Sequence, residues 1–96
     1  MITVYSKNNC PFCTKAKALF EIKGIKYTEI NIEQDADARK RIIDAGLRTV
    51  PQIYINEELL PGGYNGLASQ TTEFFYNLKE GSDMLLQNSK REGRLR

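Results

Sequence analysis

The sequence predicts a single α/β domain with its elements in the order β-α-β-α-β-β-α, and three observations carry that prediction. Short runs rich in β-branched and aromatic residues alternate with stretches in which apolar residues recur at helical spacing. Proline and glycine fall mostly at the joints between these segments. The chain has 96 residues, 41% of them hydrophobic, with five tyrosines and four phenylalanines, enough for one modest core without staples.

Taken in order, ITVY at 2–5 reads as the first strand. Phe12, Ala16, Leu19 and Phe20 then recur at helical spacing, Pro11 suits the first helical position, and Gly24 supplies the stop. KYTEINI at 26–32 alternates Tyr27, Glu29 and Asn31 with Thr28, Ile30 and Ile32, the pattern of a second strand. A strand-helix-strand unit normally joins parallel strands through a right-handed crossover, which leaves the loop after the first strand at the carboxyl edge of the sheet. DADARKRIIDA at 35–45 carries acids in front and bases behind, with Gly46 after it, and predicts a second helix whose charges match its dipole.

PQIYIN at 51–56 predicts a strand opened by a proline, Glu57 and Glu58 a turn, and Leu59 and Leu60 a short partner strand ending at PGG. Leu67, Phe74, Phe75 and Leu78 suit a third helix from Gly66 to Glu80, closed by Gly81. No internal repeat is present. The expected organisation is a domain over 1–80 and a polar, basic tail over 81–96 that is either a helical extension or disordered.

Charge is informative by location. Through Glu80, ten basic residues balance ten acidic ones, so the net charge of +2 resides in the tail. Its four bases lack interleaved aromatics, a weak footprint for nucleic acid. Lys7, Lys15, Lys17, Lys23 and Lys26 are opposed only by Glu21, so the segment around the cysteines is locally positive and favours an anionic substrate or a thiolate. No stretch is apolar for long enough to span a bilayer and the start has no leader pattern, so no membrane association and a cytoplasmic location are expected.

The chemistry is carried by NNCPFCTKAKALF at 8–20. Cys10 and Cys13, three apart at a helix start, lie close enough to open and close a disulfide without moving the chain. Cys10 should sit at the helix cap with its sulfur exposed, facing unpaired backbone N–H groups and the positive end of the dipole, while Cys13 is more covered. Holding a thiol mostly ionised at neutral pH requires roughly 2.7 kcal/mol relative to an ordinary cysteine. An exposed helix end supplies about 0.3 to 1 kcal/mol. Backbone hydrogen bonds and the charge of Lys7 are expected to supply the remainder. Cys10 is thus the expected nucleophile and Cys13 the resolving thiol.

Other uses of the pair weigh less. A structural disulfide closing so short a loop stabilises little. A zinc site needs four ligands, and the chain has two cysteines and no histidine. Two subunits pooling cysteines around an iron-sulfur cluster, a dimeric binding or carrier module, remains an alternative of a different class. RTVPQIYI at 48–55 and LPGGYNGL at 60–67 each have a plain reading as an edge-strand proline and turn glycines.

Together, YSKNNCPFCTKAK, RTVPQIYI and LPGGYNGL resemble the glutaredoxins, in that order and at compatible separations, over approximately residues 1–80. The resemblance implies a thioredoxin-like fold with helices on both faces of a central four-stranded mixed sheet. It further implies glutathione as the reducing cosubstrate, no tightly bound cofactor or metal, and a dithiol oxidoreductase acting on protein disulfides or glutathione mixed disulfides. Cys10 and Cys13 match the family's nucleophile and resolving thiol. Lys7 matches the lysine that faces the glutathione carboxylate, and Phe12 stands where many members have tyrosine. Thr49, Val50 and Pro51 match the loop whose cis proline packs near the reactive sulfur, with the valine backbone pairing to glutathione as an added strand. Gly63, Tyr64 and Asn65, with Gly62, match the segment that holds the γ-glutamyl end.

One position departs. Many members carry aspartate where this chain has Gly66, and glycine cannot meet the γ-glutamyl ammonium. Backbone N–H groups and Asn65 are left to hold that end, with Arg48 a further candidate carboxylate partner. The departure suggests a related reading, a glutaredoxin-like hydrogen donor for ribonucleotide reductase that takes electrons from thioredoxin reductase. The expected partners are glutathione and disulfide-containing proteins, ribonucleotide reductase among the candidates, for a protein that acts as a monomer.

Overall fold

The computed structural model describes residues 1–84, with side chains through Lys79. Its order is β1 (Ile2–Ser6), α1 (Pro11–Ile22), β2 (Thr28–Asn31), α2 (Ala36–Asp44), β3 (Gln52–Ile55), β4 (Glu58–Leu60), α3 (Gly63–Ala68) and α4 (Thr72–Met84). The four strands form one mixed sheet in the order β2-β1-β3-β4. β1 runs parallel to β2 and antiparallel to β3, and β4 returns antiparallel to β3.

Local chemistry explains most boundaries. In α1, Cys10 is the extended N-cap and Pro11 opens the first turn, where its missing N–H is no loss. Asp35 caps α2, its carboxylate accepting from the Ala38 N–H at 3.0 Å. Gly24 (φ 73°) and Gly46 (φ 79°) end α1 and α2 in the left-handed region.

The alternation in β2 divides the molecule into two unequal layers. Tyr27 faces α1, packing on a core of Ile2, Val4, Ala16, Phe20, Ile25, Ile53, Leu67 and Phe75. Ile30 and Ile32 face α2 and pack on Tyr5, Ala38, Ile42 and Tyr54. On that thinner side the Tyr5 and Tyr54 rings meet edge to face at 5.4 Å, with the Arg41 guanidinium 4.9 Å from the Tyr54 ring centre.

Three expectations need correction. The single helix over Gly66–Glu80 is two. The Ser69 hydroxyl donates to the Gly66 carbonyl and the Ser69 N–H to the Asn65 carbonyl, closing α3, and the Thr71 hydroxyl oxygen accepts from the Phe74 N–H at 3.1 Å to start α4. Gly81 does not close the last helix, which continues to Met84. The hairpin turn lies at Asn56 (φ 51°) and Glu57 (φ 72°), one residue earlier than expected, because Glu58 pairs with Ile55 in β4. Of the tail over 81–96, residues 85–96 lie outside the described residues. Among the described residues no helix is long and apolar enough to cross a membrane.

Phe20, fully buried, joins α1 to the sheet and stacks obliquely on Tyr27 at 5.7 Å. Phe20→Ala should lower unfolding stability by about 3 to 5 kcal/mol, measured by denaturant titration. A loss under about 1 kcal/mol would show that this ring is not central to the core.

Candidate active site

The parallel pairing of β1 with β2 sends α1 back across the sheet, so the Ser6–Cys10 loop lies at the carboxyl end of β1. That loop is tied down on one side. Asn31, the last residue of β2, donates its side-chain amide to the Asn8 carbonyl oxygen of the side chain at 2.9 Å, and Asn9 takes the left-handed conformation (φ 55°) that asparagine tolerates. The chain thereby enters α1 with Cys10 at its cap.

Cys10 and Cys13 are joined as a disulfide, with their Cα atoms 5.2 Å apart. The Cys13 N–H donates to the Cys10 sulfur at 3.2 Å, so the sulfur occupies the place a serine or aspartate side chain normally takes. Cys10 is partly exposed, and Cys13 is 2% exposed on the face of α1 that meets the sheet. The expected asymmetry between the two sulfurs is therefore present in the fold.

The loop before β3 closes over the pair. Val50-Pro51 is cis, and the Val50 carbonyl lies 3.8 Å from the Cys10 sulfur. Gln52, buried at 6% exposure, donates its side-chain amide to the Thr49 carbonyl at 2.8 Å and holds the loop against the strand. From the other side come Gly62, Gly63, Tyr64 and Asn65 at the start of α3. These residues with Phe12, Thr49, Val50 and Pro51 line one hollow of about 160 Å³. Phe12, 51% exposed, faces Tyr64 at 6.0 Å between ring centres, and the Lys15 ammonium lies 5.1 Å from the Phe12 centroid.

Seven of the sequence-predicted site residues besides the cysteines thus converge on one groove: Phe12, Thr49, Val50, Pro51, Gly63, Tyr64 and Asn65. Lys7 stands apart. It lines a polar hollow of about 590 Å³ that opens onto Cys10 and Cys13 from the β2 side, and another on the α2 side.

Gly66 has a packing reason to be glycine. A Cβ there would lie 1.9 Å from the Pro61 carbonyl oxygen, and one on Gly62 (φ 95°) would lie 2.9 Å from the Gly66 Cα. The two backbones touch, so no side chain fits at 66 without remodelling the turn.

Sequence reasoning missed a polar cluster beneath the couple. Ser6, 1% exposed, donates its hydroxyl to the Glu29 carboxylate at 2.6 Å, and Lys17 pairs with the same oxygen at 2.8 Å. Hydrogen bonds from Lys17 and from Ser6 hold the Glu29 carboxyl below its ordinary range, against the opposing effect of burial. The available signal was spacing: Lys17 is four residues after Cys13 on the same helix, and Glu29 shares a strand face with Tyr27. On that same face the Tyr27 hydroxyl, pushed up to about 12 by burial and by its hydrogen bond to Glu21, stays protonated through neutral pH.

A partly exposed sulfur at a helix cap, a covered partner one turn inside and a cis-proline loop across them define a thiol-disulfide oxidoreductase of thioredoxin-like architecture. The family model described as Glutaredoxin matches residues 2–60. Glutaredoxin 3 of Escherichia coli (strain K12) is 39% identical over 62 residues, covering 64% of this chain and 75% of the relative. A crystal structure of a buckwheat glutaredoxin-glutathione complex has a TM-score of 0.69 at 25% identity, covering 83% of this chain and 76% of that one. NrdH-redoxin from Escherichia coli, described as glutaredoxin-like with a thioredoxin-like activity profile, gives 0.64 at 22% identity over 80% and 92%, a likeness of fold. The chain belongs to the glutaredoxin family.

Because the folded-state pKa of Glu29 is depressed, its contribution to stability is present above the unfolded carboxyl pKa and is lost as pH falls through the folded one. Glu29→Gln should therefore flatten the acid side of the stability curve, read as Tm against pH as it falls through and below the ordinary carboxylate range. An unchanged acid limb would remove Glu29 as a contributor.

Proposed function

We propose that this glutaredoxin is a glutathione-dependent dithiol oxidoreductase, in which Cys10 attacks and Cys13 resolves. The observation that carries the proposal is the convergence of the Phe12–Tyr64 groove and the Thr49-Val50-Pro51 loop beside the Cys10 sulfur. Support also comes from the glutathione complex of the buckwheat relative.

In the reduced protein, the Cys13 N–H that caps α1 donates to the Cys10 thiolate and favours it over the thiol. The thiolate attacks one sulfur of a substrate disulfide and expels the other as a thiolate, which takes a proton from solvent. The Cys13 thiol loses its proton and displaces the substrate from the mixed disulfide. The substrate gains two electrons and two protons, and the protein is left as the Cys10–Cys13 disulfide. Two glutathione molecules then return it to the dithiol. The first forms a mixed disulfide at Cys10, and the second releases glutathione disulfide.

For glutathione, the exposed backbone of Val50 pairs with the cysteinyl portion, and Phe12 and Tyr64 wall the tripeptide. Thr49, Pro51, Gly63 and Asn65 complete the groove, and Lys7 meets a carboxylate from outside it. A reducing compartment, the cytoplasm, suits this cycle.

Gly66 favours a second reading. The groove lining holds no acidic side chain, and the contact with Pro61 leaves no room for one at 66. Thioredoxin reductase then becomes an alternative electron source, as for a hydrogen donor to ribonucleotide reductase.

Cys10→Ser should reduce disulfide turnover in a glutathione and glutathione reductase coupled assay to background. Cys13→Ser should keep activity on glutathione mixed disulfides while losing it on protein disulfides. Equal turnover by Cys10→Ser and the native protein would sink the mechanism. Turnover supported by thioredoxin reductase but not by glutathione would select the second reading.

A further inference from the structure

Release of the substrate from the mixed disulfide requires the Cys13 thiol to give up a proton, yet Cys13 is 2% exposed on the sheet-facing side of α1. The proton needs a way out and a group to take it. Cys13 lines the polar hollow of about 590 Å³ on the β2 side, so a way out exists without movement of the chain. The hollow is roomy and polar enough for water.

Glu29 is the one carboxylate among the described residues that line this hollow. Strand alternation puts it there, because Ile2, Val4 and Ser6 share the α1 face of β1, and Glu29 meets Ser6 from the neighbouring strand. The Ser6 hydroxyl and the Lys17 ammonium both donate to Glu29 Oε2, and Oε1 accepts from no described residue. Lys17 follows Cys13 by four residues, on the same side of α1. The remaining ammonium lining the hollow is that of Lys7, and the Tyr27 hydroxyl, bonded to Glu21, lies on the same strand face as Glu29. With two ammonium groups and no second carboxylate around it, Glu29 is ionised at neutral pH and open to a proton. Its side chain is 37% exposed, so it joins the covered thiol to solvent.

We propose that Glu29 is the proton acceptor for Cys13 in the resolving step, acting through water in the hollow, and that Ser6 and Lys17 position it. As the Cys13 S–H bond breaks, the proton passes through that water to Glu29 Oε1, and the electron pair left on sulfur forms the bond to the Cys10 sulfur. The bond from Cys10 to the substrate breaks, and the substrate leaves as a thiolate that takes a proton from solvent. A carboxylate paired with Lys17 is too weak a base to keep its proton and passes it on to bulk water. When an attacking thiolate later reopens the disulfide at Cys10, Cys13 leaves as a thiolate and recovers a proton along the same path. The inference rests on Cys10 attacking and Cys13 resolving, but not on the identity of the reductant.

The test mixes protein reduced with dithiothreitol, and freed of it, with dithiobis(nitrobenzoate) in stopped flow. The first coloured thiol appears as Cys10 attacks and the second as Cys13 resolves. With Glu29 taking the proton during attack, the second phase of the native protein should vary by less than about threefold from pH 6 to pH 8 and slow about twofold in heavy water. In Glu29→Gln only pre-formed Cys13 thiolate reacts, so the second phase should climb roughly tenfold per pH unit and fall at least about tenfold below native at pH 6. Lys17→Met removes the ion pair but keeps the carboxylate, and should retain the flat profile while moving its acid edge to higher pH.

A native second phase that already climbs tenfold per unit would overturn the proposal without any variant. So would a profile of the same slope in the native protein and Glu29→Gln, or the same loss in Glu29→Gln and Lys17→Met, which would mark the cluster as a clamp between strand and helix. Failure of Cys10 as the attacking group would instead abolish the first phase in every protein.

Discussion

The Cys13 N–H pointing at the Cys10 sulfur is a folding contact and a chemical one at once. As a folding contact it fills a helix cap, satisfying an amide that would otherwise lack a partner. As a chemical contact it places a donor on one sulfur of the redox pair. The position of that atom then follows from the helix, and the helix from the burial of Ala16 and Phe20 against the sheet. Neither cysteine needs a loop rearrangement to reach the other, because the cap geometry holds their Cα atoms within disulfide reach.

The rest of the site is assembled by topology. The parallel β1-β2 pair puts the start of α1 at one end of the sheet, and the antiparallel β3 begins at that same end. The segment leading into β3 therefore arrives beside Cys10. Gln52 fixes it by reaching back to Thr49, and the return of β4 brings the glycine-rich turn alongside. Three stretches far apart in sequence meet because strand direction leaves them no other place.

Much of this was legible in the sequence, and the reasons differ by element. Pro11 and Gly24 bracket α1, Asp35 and Gly46 bracket α2, and the β2 alternation assigned its faces correctly, because each signal is local. The split between α3 and α4 was less visible. Ser69 and Thr71 act through hydroxyl hydrogen bonds one turn away, and the apolar spacing of Leu67, Phe74 and Phe75 bridges the break without revealing it. The hairpin turn moved by one residue because two non-glycine residues, Asn56 and Glu57, adopt left-handed angles. The Ser6–Glu29–Lys17 cluster depends on which face of β2 meets which face of α1, knowledge that periodicity supplies only once the layers are paired. Gly66 could be seen to lack a carboxylate, yet its contact with Pro61 is a fact of three-dimensional packing alone.

Among the described residues the two sides of the sheet are filled unequally, with eight buried residues in the core on the α1 side and four on the α2 side. Only Ala38 and Ile42 are buried along α2, whose remaining hold on the sheet includes the Arg41 guanidinium lying over Tyr5 and Tyr54. A dense layer resists displacement, whereas a sparse one yields at smaller cost. The helix that carries the sulfurs is thus anchored in the fuller of the two layers, and the sparser α2 layer leans on an arginine laid across two tyrosine rings.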